Sequence, residues 1–196
     1  MRRTVAYAAL ILAAVMVATV IPTEAEGMIY EDTLRLHILA NSDFEEDQRL
    51  KIKVRDALLD KYSILLSEST DTDAACREVE SRLGEIEEYA KAVIKDLGYS
   101  YDVHAYIGKE WYDTRVSEDF TLPCGVYSSL RIVIGEGAGQ NWWCVMYPPI
   151  CTELATENSG GDNLGYTSEE MTLISGKYNV KFKFLELISV AFTKNS

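Results

Sequence analysis

The chain opens with a basic segment followed by a long apolar run. Arg2 and Arg3 precede an apolar stretch from Val5 to Ile21, and Pro22 with a polar segment ends it. This order of basic, apolar and polar residues is typical of an export signal. We predict that residues 1–25 are either a signal peptide cleaved after Ala25 or a signal anchor retained in the membrane. Both outcomes stay open, because the run is only just long enough to span a bilayer.

A period of two in the hydrophobic pattern then gives way to a period near 3.6. Apolar residues alternate from Leu34 to Ala40, which predicts a strand with one apolar face. Ser42 and Glu45 have capping-box spacing, so a helix should begin here and end near Ser67. Its predicted apolar stripe is Leu50, Val54, Ala57, Leu58, Tyr62 and Leu65.

The next apolar stripe continues at the helical period for almost seven turns. It predicts one helix from Asp71 or Thr72, either of which can cap it, to Leu97. Gly98 is expected at the C′ position, where a left-handed backbone favours glycine.

The second half of the chain predicts mostly strands and loops. Strands are expected over 101–107, over 112–121 at an edge, and over 127–134 at the centre of a sheet. Residues 152–176 read as a mobile surface loop, and 180–191 as a helix. The fold class is therefore α+β: a mainly antiparallel sheet with helices packed on one face, in the order β-α-α-β-β-β-α. Residues 26–196 form a single extracytoplasmic domain in this interpretation.

Charge narrows the classes of partner. The chain carries 19 basic and 31 acidic residues, and loss of residues 1–25 would leave 17 and 30, a net charge of −13. Such a surface repels nucleic acid and anionic lipid headgroups, so we expect no nucleic-acid partner.

Four cysteines would lie outside the cytoplasm, where disulfides persist. Cys144 and Cys151 enclose six residues that include Pro148 and Pro149, a segment able to reverse the chain, so we predict that this pair is bridged. The pairing of Cys76 and Cys124 stays open. We expect no metal, because no C-x-x-C pair exists and only His37 and His104 could supplement the thiols.

Candidate catalytic groups are sparse. The glycines at 135, 137 and 139 follow a strand, but no Gly-Lys-Ser/Thr follows them and Glu136 puts an anion where a phosphate would bind. We therefore interpret them as a tight turn and expect neither nucleotide nor other cofactor. A hydrolase could use His37 with Asp43, although no G-x-S-x-G or H-E-x-x-H motif accompanies them.

Several residues are candidates for binding rather than for catalysis. His104 is expected on an exposed strand face, whereas His37, beside Arg35, is either a partner-binding or a plainly solvent-exposed residue. Trp142 and Trp143 must point to opposite faces of an extended chain. One of them can be a surface anchor for a protein partner, or both can be core.

Two segments carry a resemblance to a known family. Leu34 to Asp43 (LRLHILANSD), with Asp47-Gln48, Leu50-Lys51 and Val54-Arg55-Asp56 after it, resembles the opening of the stage II sporulation protein R family. Leu130 to Gly137 (LRIVIGEG), Asn141 to Val145 (NWWCV) and Pro148-Pro149 with Cys151 resemble the family's second motif. The resemblance covers about residues 30–192.

The resemblance implies a function without catalysis. Members are secreted from the forespore into the space between the two sporulating-cell membranes, where they activate a membrane aspartic protease of the mother cell that processes the sigma-E precursor. The candidate partner-binding residues are then the polar end of the first strand and the tryptophan loop: Arg35, His37, Asn41, Asp43, Trp142 and Trp143. The alternatives are an extracytoplasmic cell-wall or peptide hydrolase using His37 and Asp43, and a structural domain of the cell envelope.

Overall fold

The computed structural model describes residues 2–20, 24–116, 121–148 and 166–175. They form an α+β fold, as predicted. Its helices are α1 (Arg2–Val20), α2 (Glu24–Glu31), α3 (Glu45–Ser67), α4 (Thr72–Ser81), α5 (Leu83–Asp96) and α6 (Ser168–Ser175). Its strands are β1 (Leu34–Leu39), β2 (Val103–Tyr112), β3 (Arg115–Val116), β4 (Thr121–Leu122), β5 (Gly125–Ile134) and β6 (Asn141–Tyr147).

The chain divides into two compact units. The first comprises residues 1–29, 112–125 and 168–196, and within it β3 and β4 pair as a two-stranded antiparallel ladder. The second comprises residues 30–111 and 126–167 and contains the larger sheet with α3, α4 and α5. The sequence pattern had predicted a single strand over 112–121. In the described part of that segment, β2 ends at Tyr112 and two two-residue strands, β3 and β4, follow, while residues 117–120 lie outside the described residues.

The larger sheet has the strand order β2-β5-β1-β6 and is mixed. β1 pairs with β5 in parallel and with β6 in antiparallel orientation. The expectation of a mainly antiparallel sheet is wrong for the β1–β5 pair. These central strands lie far apart in sequence, and the helices α3 to α5 between them provide the long connection that a parallel pair needs. The predicted central position of β5 is confirmed.

The predicted order also lacked β6. The segment Asn141–Tyr147 reads Asn-Trp-Trp-Cys-Val-Met-Tyr, a nearly continuous apolar run without the alternation that signals a strand. The segment is a strand because it pairs with β1, with Ile38 opposite Trp142 and Leu36 opposite Cys144.

One face of the sheet carries the hydrophobic core, with the helices α3 to α5 packed on it as predicted. Leu36 and Ile38 of β1 lie opposite Leu130 and Ile132 of β5, and all four are at most 1% exposed. The buried side chains that the helices add to this cluster are Leu50, Val54, Leu58, Tyr62, Ala75, Val79, Ile86, Ala90 and Ile94. Burial of this stripe supplies the main driving force for folding of this unit.

The single long helix predicted over 72–97 is two helices. At Arg82 the backbone leaves helical geometry (φ −113°, ψ 9°), and its N–H donates to the carbonyl of Val79, three residues back. The Arg82 side chain pairs with Glu78 before the break and with Glu85 after it. The apolar stripe continues across the break, which is why periodicity alone predicts one helix.

The two ends predicted for the helical stretch 72–97 are confirmed. The Asp71 side chain accepts a hydrogen bond from the N–H of Ala74 at 2.7 Å and caps α4. At the end of α5, Gly98 has φ +87°, its N–H donates to Lys95, and the Tyr99 N–H donates to Ile94. This pair of bonds is the Schellman motif, which places glycine at C′.

The remaining predictions fall partly outside the described residues. Within the loop predicted over 152–176, residues 168–175 form α6, whereas 152–165 lie outside the described residues, as does the helix predicted over 180–191. The predicted export segment coincides with α1, whose side chains from Arg3 to Ala14 are exposed. Within the described part of the chain, no helix combines the length and apolar character required to cross a membrane.

Candidate functional site

The sheet face opposite the helices is polar yet largely buried. Strand alternation places Arg35 and His37 of β1 on this face, opposite Ser129 and Arg131 of β5. Arg35 and Ser129 are fully buried and His37 is 8% exposed. The solvent-exposed interpretation of His37 is therefore wrong, because both faces of β1 are covered.

A charged cluster joins three strands of this face. His37 Nδ1 lies 2.8 Å from Glu110 Oε2, and Arg131 Nη1 contacts Glu110 Oε1. The side chains of His37, Glu110 and Arg131 are 10%, 17% and 30% exposed. The Arg131 guanidinium also lies 5.8 Å from the ring centre of Tyr106. One carboxylate thus contacts both the His37 ring and the Arg131 guanidinium, and links β2, β5 and β1.

Arg35 has aromatic surroundings. Its guanidinium carbon lies 5.1 Å from the centre of the Tyr127 ring and 4.9 Å from that of Trp143. A guanidinium tolerates such a site because it is weakly hydrated and stacks on aromatic faces. The structure therefore buries Arg35, which the sequence had placed among the candidate partner-binding residues, within the sheet face.

The two tryptophans of β6 point to opposite faces, as predicted. Trp142 lies opposite Ile38 on the helix side, where the Arg55 guanidinium is 4.8 Å from its ring centre. Trp143 lies opposite His37 on the polar face. Both are half-buried, and a role for either as an anchor for a protein partner stays a prediction.

The turn after β1 interlocks with the glycine loop after β5. The backbone N–H groups of Ala138 and Gly139 donate to the carbonyls of Asn41 and Ala40. Asn41 Oδ1 accepts from the Glu136 N–H at 3.0 Å. Asp43 Oδ1 accepts from the Gln140 N–H at 2.7 Å. The two segments that carried the resemblance are thus the two halves of one hydrogen-bonded clamp.

The glycines are needed for this approach. Gly135 has φ +59°, and a Cβ there would lie 2.2 Å from Asn41 Oδ1. A Cβ at Gly139 would lie 2.2 Å from the carbonyl oxygen of Ser42. The tight-turn interpretation of this loop is confirmed, since the chain's own Asn41 and Ser42 fill the space beside the glycines.

Asp47 anchors the clamp from the first turn of α3. Its Oδ2 accepts from Asn41 Nδ2 at 2.8 Å and from Ser42 Oγ at 2.5 Å. Burial acts to raise the pKa of Asp47, but hydrogen bonds from Ser42, Asn41 and Tyr101 outweigh it and hold that pKa below its ordinary value. Asp47 is therefore an ionised, nearly buried acceptor that fixes the turn.

Lys51 extends the clamp one turn further along α3. Its Nζ donates to the carbonyl of Gln140 at 2.8 Å and to Gln48 Oε1 at 2.6 Å. Only 4% of Lys51 is exposed, and this burial lowers the pKa of its ammonium. Its role is to hold the chain before β6.

The predicted Ser42–Glu45 capping box does not form. The helix begins at Glu45, and the Gln48 N–H donates to the carbonyl of Phe44, which makes Phe44 the N-cap residue. Ser42 Oγ instead accepts from the Phe44 N–H at 3.2 Å. Phe44 itself is 78% exposed, at the edge of a groove of about 570 Å³. The lining residues are Asn41, Ser42, Phe44, Glu45, Glu46, Asp47, Arg49 and Tyr101.

His37 and Asp43, the candidate hydrolase pair, each hydrogen-bond a different residue. His37 is hydrogen-bonded to Glu110, whereas the Asp43 carboxylate accepts from Gln140. His104, whose side chain is 70% exposed, lies on the exposed face predicted for it. Among the described residues, no group of three or more His, Cys, Asp or Glu side chains could hold a metal ion.

The cysteines are only partly described. Cys76 and Cys124 are thiols outside any disulfide, and burial raises the pKa of Cys76. Cys144 lies on β6 and is not among the free thiols, while Cys151 lies outside the described residues. The bridge between Cys144 and Cys151 stays a prediction.

Sequence reasoning missed Glu110, Arg131 and Phe44. Glu110 lies 73 positions from its partner His37, so no local spacing connects them. An acidic residue in a strand opposite two basic ones is a signal, but it is readable only once the sheet order is known. Phe44 lies next to the predicted cap, and the pattern of the sequence assigns it no role.

Comparison with known proteins identifies the family. The family described as Stage II sporulation protein R matches residues 30–157. A curated relative named Stage II sporulation protein R, from Bacillus subtilis (strain 168), is 35% identical over 124 residues, which are 63% of this chain and 55% of the relative. The chain thus spans about half the length of that relative, and no solved structure matches it. The chain belongs to the stage II sporulation protein R family.

Proposed function

We propose that this chain is an exported sporulation signal that activates a membrane aspartic protease of the mother cell, which then cleaves the sigma-E precursor. The observation that carries the proposal is where the family match begins. It starts at Tyr30, the first residue of the unit built on the four-stranded sheet, and leaves α1 outside. The part shared with the family therefore contains most of the unit built on the four-stranded sheet, together with residues 112–125 of the other unit, and we assign delivery to the segment before it.

Delivery is assigned to residues 1–25. The apolar side chains Val5, Leu10, Ile11 and Leu12 are between 63% and 71% exposed in α1. A helix that exposes this much apolar surface behind two arginines has the composition that export machinery selects. In the proposal the chain crosses the forespore membrane into the intermembrane space, either released after Ala25 or held by residues 5–21.

Activation requires differential binding and no chemistry. A ligand shifts a receptor toward its active state only by the ratio of its affinities for the two states. A protease that is 1% active when free needs roughly a 10⁴-fold preference to become 99% active. A preorganised surface supports such a preference because little entropy is lost on binding. The clamp between the turn after β1 and the glycine loop provides a hydrogen-bonded backbone of this kind at the end of the sheet.

The compartment also favours the Cys144–Cys151 bridge, which we propose braces the chain after β6. Alkylation without reductant, followed by mass spectrometry of the exported protein, measures it. A disulfide-linked peptide pair is expected, and alkylation of both residues would contradict it.

Complementation tests the proposed function. In a sporulating host that lacks its own copy of the family gene, the full-length chain is expected to restore cleavage of the sigma-E precursor, measured by immunoblot. The chain lacking residues 1–25 is expected to accumulate in the forespore cytoplasm without restoring cleavage. Failure of the full-length chain to restore cleavage, although exported and folded, would contradict the proposal.

The dose response separates a ligand from the alternative hydrolase. Weakened binding is rescued by mass action, whereas loss of a catalytic base lowers turnover at every dose. We expect His37→Ala to raise the expression level needed for cleavage, because it removes a buried partner of Glu110 and so lowers the amount of folded ligand. His104→Ala, in the exposed control position, should leave that level unchanged. Loss of all cleavage at every dose by exported, folded His37→Ala would favour the hydrolase.

A further inference from the structure

Phe44 is an aromatic side chain that the fold does not use. It is 78% exposed, although it lies next to the buried clamp. It occupies the N-cap position of α3, where serine, threonine, aspartate or asparagine would accept a hydrogen bond from the first turn and phenylalanine cannot. Both its exposure and its position therefore act against local stability. Places where local rules fail without a gain in folding are candidates for function.

The backbone under Phe44 is held at both ends. Its N–H donates to Ser42 Oγ, and its carbonyl accepts from the Gln48 N–H at 3.0 Å. Ser42 is itself fixed by Asp47, and Gln48 Nε2 donates to the Ser42 carbonyl at 2.9 Å. A ring displayed from a fixed backbone with two side-chain torsions loses little entropy when a partner covers it, which is the property of an interface anchor.

The surroundings of Phe44 define the chemistry of the partner. The carboxylates of Asp43, Glu45 and Glu46 are exposed around it, and the nearby cation Arg49 is paired with Glu45 at 3.1 Å. The rim is therefore net negative. The partner that fits has an apolar pocket for the ring, bordered by lysine or arginine, because charge complementarity at a rim guides association.

We propose that Phe44, with the acidic rim of Asp43, Glu45 and Glu46, is the surface by which this chain binds its receptor. The occupant is a basic-rimmed apolar pocket on the extracytoplasmic side of the membrane protease, so the inference rests on the proposed function. It moves the binding surface from Arg35 and His37, which are buried on β1, to the turn that follows this strand.

The test uses the complementation assay with Phe44→Asn in the full-length chain. Asparagine is a preferred N-cap residue, so the exported variant should melt at the same temperature as the wild type or higher. The expression level needed for half-maximal cleavage should rise roughly tenfold or more, as for loss of an interface anchor. Phe44→Trp should retain cleavage at wild-type doses, since it keeps a large ring.

Two matched controls isolate the surface. Val116→Ala removes an apolar side chain of similar exposure, 77%, from a different part of the chain and should have no effect. The second control concerns the charge of the rim. Glu46→Lys should raise the required dose severalfold, whereas Glu80→Lys, at an exposed position of α4, should not.

The outcomes are distinguishable. A Phe44→Asn chain with a wild-type dose response would overturn the surface while leaving the proposed function intact. If Phe44→Asn and Phe44→Ser both fail to fold, Phe44 has a structural role and the proposal is wrong. A wild-type dimer that Phe44→Asn converts to a monomer would assign the surface to a second copy. A wild-type chain without activity would overturn the proposed function together with this receptor.

Discussion

Single residues in the turn after β1 account for the pairing of two distant sequence motifs. Asn41 contacts the glycine loop through both its backbone carbonyl and its side chain, 95 residues away at Glu136. Composition and spacing identify each motif separately. Their contact could not be read from the sequence, because it depends on β1 and β5 lying side by side in parallel.

Adding one methyl group at Gly135 tests how much the clamp contributes to stability. Gly135→Ala should lower the free energy of unfolding by about 2 kcal/mol or more, because alanine is strained at positive φ and its Cβ would collide with Asn41. Gly84→Ala is the matched control, since a Cβ there meets nothing within 4 Å and α5 gains a better helix former. It should raise stability by about 0.5 kcal/mol. Urea denaturation measures both, and equal effects would contradict the clamp.

Asp47 gives the clamp a predicted pH dependence. In the folded chain the pKa of Asp47 lies below the ordinary value of 3.8. At a pH between the folded and the unfolded pKa, the unfolded chain therefore binds more protons than the folded chain, and acid destabilises the fold. Above about pH 5 the stabilisation is complete, and it is lost as the pH falls through the folded pKa. Asp47→Asn should cost about 1–2 kcal/mol at neutral pH, and this difference should shrink in acid.

Asp60→Asn is the control for that measurement, because Asp60 is an exposed carboxylate of the same helix. Denaturation curves of the three proteins from pH 7 to pH 3 decide the matter. A difference between wild type and Asp47→Asn that stays constant over the whole range would contradict the assigned role of Asp47.

The burial of the polar sheet face could not be predicted from single residues. The alternation in β1 correctly places Arg35 and His37 on the face opposite Leu34 and Leu36. Their polar character favours a surface role, partner binding for both or plain solvent exposure for His37, yet Arg35 lies between two aromatic rings and His37 contacts Glu110. Partners that distant in sequence satisfy these groups only after the sheet has formed.

At the scale of elements, amphipathic helices were predictable and irregular segments were not. The stripe of α3 and the end of α5 at Gly98 follow from side-chain spacing and glycine chemistry. The break at Arg82 and the strand β6 do not, since the first leaves the apolar stripe continuous and the second lacks alternation. Tertiary contacts determine both.

The cap of α4 offers an element-scale test. Asp71→Ala should reduce stability by about 1 kcal/mol, because the Ala74 N–H loses its acceptor. Asp71→Asn keeps an acceptor at the cap and should lose only a fraction of that amount. Thermal or urea unfolding of the exported chain checks the order, and equal losses from both variants would indicate that the charge, not the cap, matters.

At the scale of the whole molecule, the fold class followed from the sequence but the topology did not. Helix and strand patterns identify an α+β chain behind an apolar N-terminal segment. They do not reveal that β1 and β5 pair in parallel at the centre of a mixed sheet. Parallel pairing depends on contacts distant in sequence, which local patterns do not show. Family membership adds the biological setting that no side-chain cluster in the described residues could supply.

The central claim is that the folded unit recognises the receptor and that residues 1–25 only deliver it. A chimera with an unrelated cleavable signal peptide in place of these residues measures this directly, through cleavage of the sigma-E precursor in sporulating cells. The account predicts cleavage at the wild-type level and dose. A chimera that is exported, folded and inactive would contradict it, because the apolar helix would then be part of the receptor contact.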